Sequence, residues 1–383
     1  GRIEGAASLG MEPDGKLGNL VAQMRLTNLE ANPADVYADP ISIQGADVDV
    51  RIAFNPFHLT LGRMDINDGD TTLNVSGGLK AGADGWQVAL DAGLDKIAPA
   101  RLLELWPEKA KIKTRTWVAE NIYDGALSDI SVAFRLRPGA TPETHMSFDF
   151  ADAEVRFLRN MPNITGGRGH ASLLKNRFVV SVDAGQLEAP QGGTIALKPS
   201  SFIMPDVTVK DGPPGIVRLN TSSDITAVLS LLNQPPLSLI DKANLPVDLA
   251  QATANLSGTL AFEMKKGADP KKTVFDVSGD LLDVRSDVLV KGRNLTSDRL
   301  VLVASNSGIG IEGKGAVDGV AFNGGWAQPL GKPGLPSSVR ADIVLNQNTL
   351  DTFKIALPPG TVSGAGKAWF ALDLVKDQRP EFS

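Results

Sequence analysis

Hydrophobic and polar residues alternate along most of this chain, in runs of about six to eight residues separated by Gly, Asp and Asn. Over 47–54 the run places Val48, Val50, Ile52 and Phe54 on one side and Asp47, Asp49 and Arg51 on the other. That predicts an antiparallel strand with one face buried. Leu73, Val75 and Leu79 follow the same rule, as do Trp86, Val88 and Leu90 after a Gly-rich turn at 82–85, so the first hundred residues read as a meander. The pattern resumes with Ile130, Val132, Phe134 and Leu136, then Met146, Phe148 and Phe150, then Phe178, Val180 and Val182. Pro199, Pro205, Pro213 and Pro214 predict an edge or loop over 199–215.

Three stretches break the alternation with helical spacing. Between Pro99 and Gly125, apolar residues at Leu102, Leu103, Leu105, Trp106, Ile112, Trp117, Val118 and Ile122 predict a buried helical stripe. Pro107 divides it, so two short helices are expected with a bend near Leu105–Trp106, the second closed by Gly125 after Asn121. A second such stretch runs over 224–245, with Leu229, Leu231, Leu232, Leu237, Leu239 and Ile240 as its apolar set and Pro235-Pro236 as the break. It leads into the cleanest alternation of the chain, with Ala252, Ala254, Leu256, Leu260, Phe262 and Met264 facing one way. A weaker third copy passes through Leu350, Phe353, Ile355, Leu357 and Pro358-Pro359 into Ala368, Phe370, Leu372 and Leu374. The repeat is about 125 residues, which predicts stacked units that do not close alone. The expected layout is a β unit over 1–98, a kinked helix over 99–125, β units over 126–223 and 247–345, helices over 224–246 and 346–360, and the start of a fourth β unit over 361–383, all one continuous repeat structure. The fold class expected is mostly β: an elongated, curled antiparallel sheet with short kinked helices between its units.

Composition agrees with many short strands. Gly and Pro make up about a sixth of the 383 residues, and aromatics only 5%. A net charge of −6 with scattered basic residues argues against nucleic acid as a partner. No apolar run is long enough to span a bilayer, and no signal peptide is visible. The chain opens on Gly, so it reads as an internal piece of a longer protein whose targeting segment lies elsewhere. The absence of Cys rules out disulfides and thiol chemistry and suits either cytosol or periplasm.

Candidate chemistry is thin. The loop over 65–70 has the Asp and Asn of a calcium loop, but its Gly comes one position early and Ser76 stands where a bidentate Glu is required, so a hairpin turn is expected. In 361–368, Thr361 and Ala368 replace two essential positions of a phosphate loop. The glycines of 166–169 read as a loop. His58, His145 and His170 lack metal-ligand spacing, and no serine nucleophile elbow is present. No catalytic residue, metal or cofactor is expected, and the chain is not read as an enzyme. Lys109, Lys111, Lys113 and Arg115 form the one notable basic cluster, open to two readings: a solvated helix face, or a contact for anionic lipid headgroups.

A sheet with one apolar face must cover it with helices, another sheet or a ligand. The predicted helices total about seventy residues against more than two hundred in strands, too few to cover the face. Either the sheet fills its own interior, or it stays open as a groove.

Leu105-Trp106-Pro107, Arg115, Trp117, Glu120-Asn121, Gly125 and the alternating strand behind them resemble the helix-to-strand junction of the AsmA-like envelope proteins of YhdP type. Leu232-Asn233-Gln234-Pro235-Pro236-Leu237 resembles that family's second helix. The resemblance implies a long β-groove, anchored in the inner membrane of a Gram-negative bacterium through a segment outside this sequence. It would cross the periplasm and carry phospholipid passively towards the outer membrane. The acyl chains would lie on Val48, Val50, Ile52, Phe54, Val88, Leu90, Ile130, Val132, Phe134, Leu136, Phe148, Phe150, Val180, Leu256, Leu260, Phe262, Phe370 and Leu372, with headgroups at Lys109, Lys111, Lys113 and Arg115. The alternative is a scaffold or assembly factor of the envelope with a closed core and protein partners.

Overall fold

The computed structural model describes residues 1–31, 40–235, 237–265, 267–269, 272–331, 335–358, 363–374 and 381–382. Pro236, Pro359 and Thr361, which figure in the expectations above, lie outside these. The chain forms two compact units: the first is 1–157 with 164–182 and 203–213, the second 158–163, 183–202 and 214–383.

The first unit is an antiparallel meander. Its strands are β1 (Arg2–Met11), β2 (Leu17–Ala31), β3 (Ile41–Phe54), β4 (Phe57–Asp68), β5 (Thr71–Gly82), β6 (Gly85–Ile97), β7 (Ile122–Leu136), β8 (Glu143–Val155) and β9 (Ile164–Leu174), each paired with the next. β10 (Arg177–Glu188) follows; its first six residues belong to this unit. Short strand β11 (Thr194–Leu197) lies in the second unit, β12 (Ser200–Met204) begins there and ends in the first, and β13 (Pro214–Asp224) belongs to the second. A second meander continues through β14 (Gln251–Glu263), β15 (Val274–Ser286), β16 (Leu295–Ser305), β17 (Gly308–Val317), β18 (Val320–Pro329), β19 (Ser337–Leu345) and β20 (Gly366–Leu374), ending in the two-residue β21 (Glu381–Phe382). The protein is therefore mostly β and antiparallel, with few short helices. The proline-rich stretch contains β12, then a loop over 205–213, and Pro214 opens β13, where its missing N–H costs least.

The helical insertions lie between β6 and β7, between β13 and β14, and between β19 and β20. The first is α1 (Pro99–Leu105) and α2 (Ile112–Asn121). Pro99 sits at the first helical position, where a proline is well placed, and Trp106 is extended because Pro107 follows it. Two features differ from expectation. Gly125 does not close α2: the strand begins at Ile122, and Gly125, with φ +137°, lies inside β7 where a Cβ would approach Ala153 Cα at 3.1 Å. The stripe is not buried either, since Ile112 and Trp117 are 60% and 48% exposed. Arginines hold the insertion instead. Arg115 donates to the carbonyls of Leu103 (3.1 Å) and Trp106 (3.2 Å), Trp106 Nε1 donates to Ala110 O (2.8 Å), and Arg156, just past the end of β8, donates to Asn121 Oδ1 (3.1 Å) and Glu120 O (2.9 Å).

The second insertion is α3 (Ile225–Leu232) and α4 (Leu239–Ala243), capped by Asp224, whose carboxylate accepts from Thr226 N–H at 2.7 Å. Its buried side is Ile225, Ala227, Ser230 and Ile240, with Leu239 47% exposed. The third is α5 (Gln347–Phe353), where Asn346 caps Thr349 N–H at 3.0 Å and Leu350 is buried.

Arg293 ties α5 to the sheet. It donates to Thr352 O (2.6 Å) and Asp318 Oδ2 (2.8 Å) and stacks over the Phe353 ring at 5.0 Å. Asn294 N–H, donating to Asp318 Oδ1 at 2.9 Å, and then Arg293 hold the Asp318 carboxyl below the ordinary carboxylate range. A carboxyl depressed on folding stabilises above its unfolded pKa, near 4, and that contribution disappears as pH falls through the folded value. Asp318→Asn keeps the left-handed turn (φ 49°) that Asn also tolerates. The variant should flatten the acid side of the thermal-midpoint profile below about pH 4; an unchanged acid limb would remove Asp318 from the account.

Candidate binding face

Residues directly opposite in an antiparallel ladder share a face, so the registers show where the apolar positions go. Across the first unit they line up in rows. One row is Leu9, Leu20, Ile52, Leu59, Leu79, Val88 and Leu136. The next is Ala7, Ala22, Val50, Leu61, Gly77, Leu90 and Phe134. Gly5, Met24, Val48, Met64, Val75, Ala92, Val132, Met146 and Leu173 make the third, and Ile3, Leu26, Ala46, Ile66, Leu73, Leu94 and Ile130 the fourth. Phe54, opposite Phe57, and Trp86 lie at one end, where Phe57 and Trp86 meet edge-to-face at 5.9 Å. Phe148 and Phe150 face Ala171 and Gly169, and Val180 is half-buried on β10.

β-bulges keep this face in phase. Leu61 and Met64 are three positions apart, an odd step that would send them to opposite sides, and the bulge between them in β4 brings both to the apolar side. Glycines on the face are roofed by the neighbouring strand: a Cβ on Gly77 would meet Leu90 Cδ2 at 3.0 Å, and one on Gly279 would meet Leu256 Cδ2 at 2.9 Å. The apolar surface therefore continues over them.

The second unit has the same construction. Ala254, Leu281, Leu300, Gly313, Gly324, Ala341 and Phe370 form one row, and Leu256, Gly279, Leu302, Ile311, Trp326, Val339 and Leu372 the next. Leu260 faces Val217 and Phe275, and Phe262 faces Gly215. Here α3 covers part of the face, with Ile225 packed among Ala252, Ala254, Leu281, Val284 and Leu300.

The opposite face is ionic. Arg25 pairs with Asp47 (2.8 Å), Arg63 lies between Asp49 (3.4 Å) and Asp65 (3.5 Å), Arg135 pairs with Asp91 (2.7 Å), and Arg299 with Asp280 (2.8 Å). Exposed pairs of this kind add little stability. They do identify the solvent side.

What sets the apolar face apart is how little covers it. Of the large side chains in the four rows of the first unit, only Val48 is buried; the rest are half-buried or exposed, Leu90 at 38% and Ile3 at 68%. Four rows at ~6.8 Å across the seven strands β1–β7 at ~4.8 Å spacing give about 600 Å² of apolar face, and the third row carries it on to β8 and β9. A typical monomer's largest patch is about 300–600 Å². The accessible surface makes the same point: it is 23862 Å² for a 40.4 kDa chain, where two separate compact bodies of half that mass would expose about 17,500 Å².

The remaining candidates resolve as structure. The 65–70 loop is the β4–β5 hairpin: Asp65 accepts from Asn74 (2.8 Å), and Asp68 is paired with Arg101 of α1, beside a shallow cleft of ≈ 580 Å³ lined by Asn28, Ser42 and Gln44. The glycines of 166–169 lie in strand β9, not in a loop; Gly166 has a left-handed φ of +58°, and a Cβ on Gly169 would strike Ser181 O. Gly366 and Lys367 open strand β20, so no helix follows them to receive a phosphate. His58 lies within 3.4 Å of Thr60 Oγ1, His145 is on β8, and His170 meets Asp149 at 2.6 Å on the exposed side. Among the described residues no cluster could hold a metal, and no helix is long and apolar enough to cross a membrane. Of the basic cluster, Arg115 is engaged with α1 as described, while Lys109, Lys111 and Lys113 are exposed.

No family model matches this chain, and no curated protein or solved structure does either.

Proposed function

We propose that this protein is a non-enzymatic lipid carrier that holds phospholipid acyl chains on the apolar face of its sheet and lets them slide along it. The observation that carries this reading is the continuous apolar face of β1–β7, registered over four rows, one of which runs on to β9, with its large side chains left mostly half-buried or exposed. The rows span about 20 Å along the strands, and an acyl chain of half a ~30 Å hydrocarbon core is about 15 Å long, so one chain fits the depth of the face. Binding at ~25 cal/mol per Å² of apolar surface needs no specific polar contact, which suits passage from strand to strand. The resemblance to AsmA-like proteins of YhdP type supports the same reading and adds its setting: the periplasm, inner-membrane anchoring in a longer protein, and delivery of phospholipid towards the outer membrane.

The test is the lipid content of the purified protein, read by native mass spectrometry and organic extraction. Two-tailed phospholipid is expected to co-purify. A lipid-free protein that takes up none from vesicles would sink the carrier reading. It would favour an envelope scaffold, for which the α3-covered cluster of the second unit is the supporting observation.

A further inference from the structure

We propose that helix α2 is a docking element for an anionic bilayer surface, distinct from the apolar sheet face; the proposal deepens the lipid-carrier reading by giving the protein a place to meet a membrane. α2 has no buried residue, although its inner side is firmly held by Arg115 and Arg156. Its outward apolar residues are therefore not the result of a loose helix. At about 100° per residue, Ile112, Thr116, Lys113 and Trp117 share an arc of about 140°, and Tyr123, 50% exposed, follows at the start of β7. Between Leu105 and Ala119 the chain has Lys109, Lys111, Lys113 and Arg115 against the single acidic Glu108, in a protein of net charge −6. Glu120 lies in the same arc, one turn beyond Thr116.

This combination fits one kind of partner. Indole and phenol rings settle at the level of lipid headgroups, apolar body inward and polar tip outward. Lysine stems lie along apolar surface while their ammonium groups reach outward to phosphate. A bound lipid on the sheet face would need one cationic contact and no exposed Ile, Trp and Tyr beside it; a bilayer surface uses all of them. A short helix with two or three such lysines binds weakly and through charge.

The experiment is co-sedimentation of the whole protein with two kinds of vesicle: phosphatidylcholine alone, and equal parts phosphatidylcholine and phosphatidylglycerol. Binding is expected only to the mixed vesicles and should vanish near 1 M salt, where the screening length falls to about 3 Å. Lys111→Gln with Lys113→Gln should weaken it about 25-fold, at about fivefold per lysine. Ile112→Ser with Trp117→Ser should also weaken it, and both pairs should leave the circular dichroism unchanged. Equal binding to the two vesicle types, or lysine variants that bind like the parent, would overturn the proposal. So would loss of vesicle binding in a folded Val132→Asp, Phe134→Asp variant, because binding would then run through the sheet face. A protein with no extractable lipid that still binds mixed vesicles through Lys111 and Lys113 would sink the carrier reading and leave the docking surface standing.

Discussion

A Val132→Asp, Phe134→Asp double variant is expected to fold and to lose its lipid. The two residues adjoin on β7, with Ala92 and Leu90 opposite them on β6 and Met146 and Thr144 on β8. Both are half-buried. Carboxylates there remain hydrated, so the cost to folding is the lost apolar contact, about 1–2 kcal/mol each. Under an acyl chain the same carboxylates would be stripped of water, which costs several kcal/mol without a partner. Lipid occupancy should therefore fall by about 100-fold or more, at a thermal midpoint lowered by about 4–16 °C but with a cooperative melt retained. Extracted lipid and the melting curve, measured on one preparation, decide the matter. A variant that melts normally and keeps parental lipid would show that the lipid lies elsewhere. One that does not fold would show that these side chains form a closed core.

The regular parts of this fold were legible in the sequence because period-2 alternation maps directly onto a face. Val48, Val50, Ile52, Ile130, Val132, Phe134, Leu256 and Phe370 all stand on the apolar side that their spacing predicts. What hid the rest was local geometry that alternation cannot express. Strand β4 escaped notice because the odd step from Leu61 to Met64 breaks the period, and only the bulge restores it. The glycines of 166–169 read as a loop, because nothing in sequence says that a neighbouring carbonyl leaves no room for a Cβ at Gly169 or that Gly166 takes a positive φ inside a strand. α2 looked buried because its apolar residues have nearly the right spacing. Its attachment instead runs through Arg115 and Arg156, and Arg156, which caps its end, is thirty-five positions away from Asn121 in sequence. Whether an apolar face is covered is likewise not written in its alternation. It depends on which helix returns to it, as α3 does to the row of Ala254, whereas α1 and α2 pack chiefly on β7.

That difference yields the second large effect, an aspartate placed at two positions of one strand. Ala254 and Leu260 both lie on the apolar side of β14, but Ala254 is fully buried beneath α3, beside Ile225, while Leu260 is half-buried and outside that cluster. Ala254→Asp puts a carboxylate among Ile225, Leu281 and Leu300, where no described side chain of the cluster can pair with it. It must either ionise without solvation or stay protonated at neutral pH, and a buried unpaired charge costs about 3–5 kcal/mol. Leu260→Asp keeps its carboxylate in reach of water and should cost about 1–2 kcal/mol. In denaturant titrations the first variant should lose most of its stability and recover part of it as pH falls and the carboxyl takes up a proton, since its folded pKa is raised. The second should unfold near the parental midpoint. Equal, severe losses at both positions would mean that the whole face is packed as a core, and the scaffold reading would replace the carrier. Equal, mild losses would mean that α3 does not stay seated on Ala254, and that the face of the second unit is as open as that of the first.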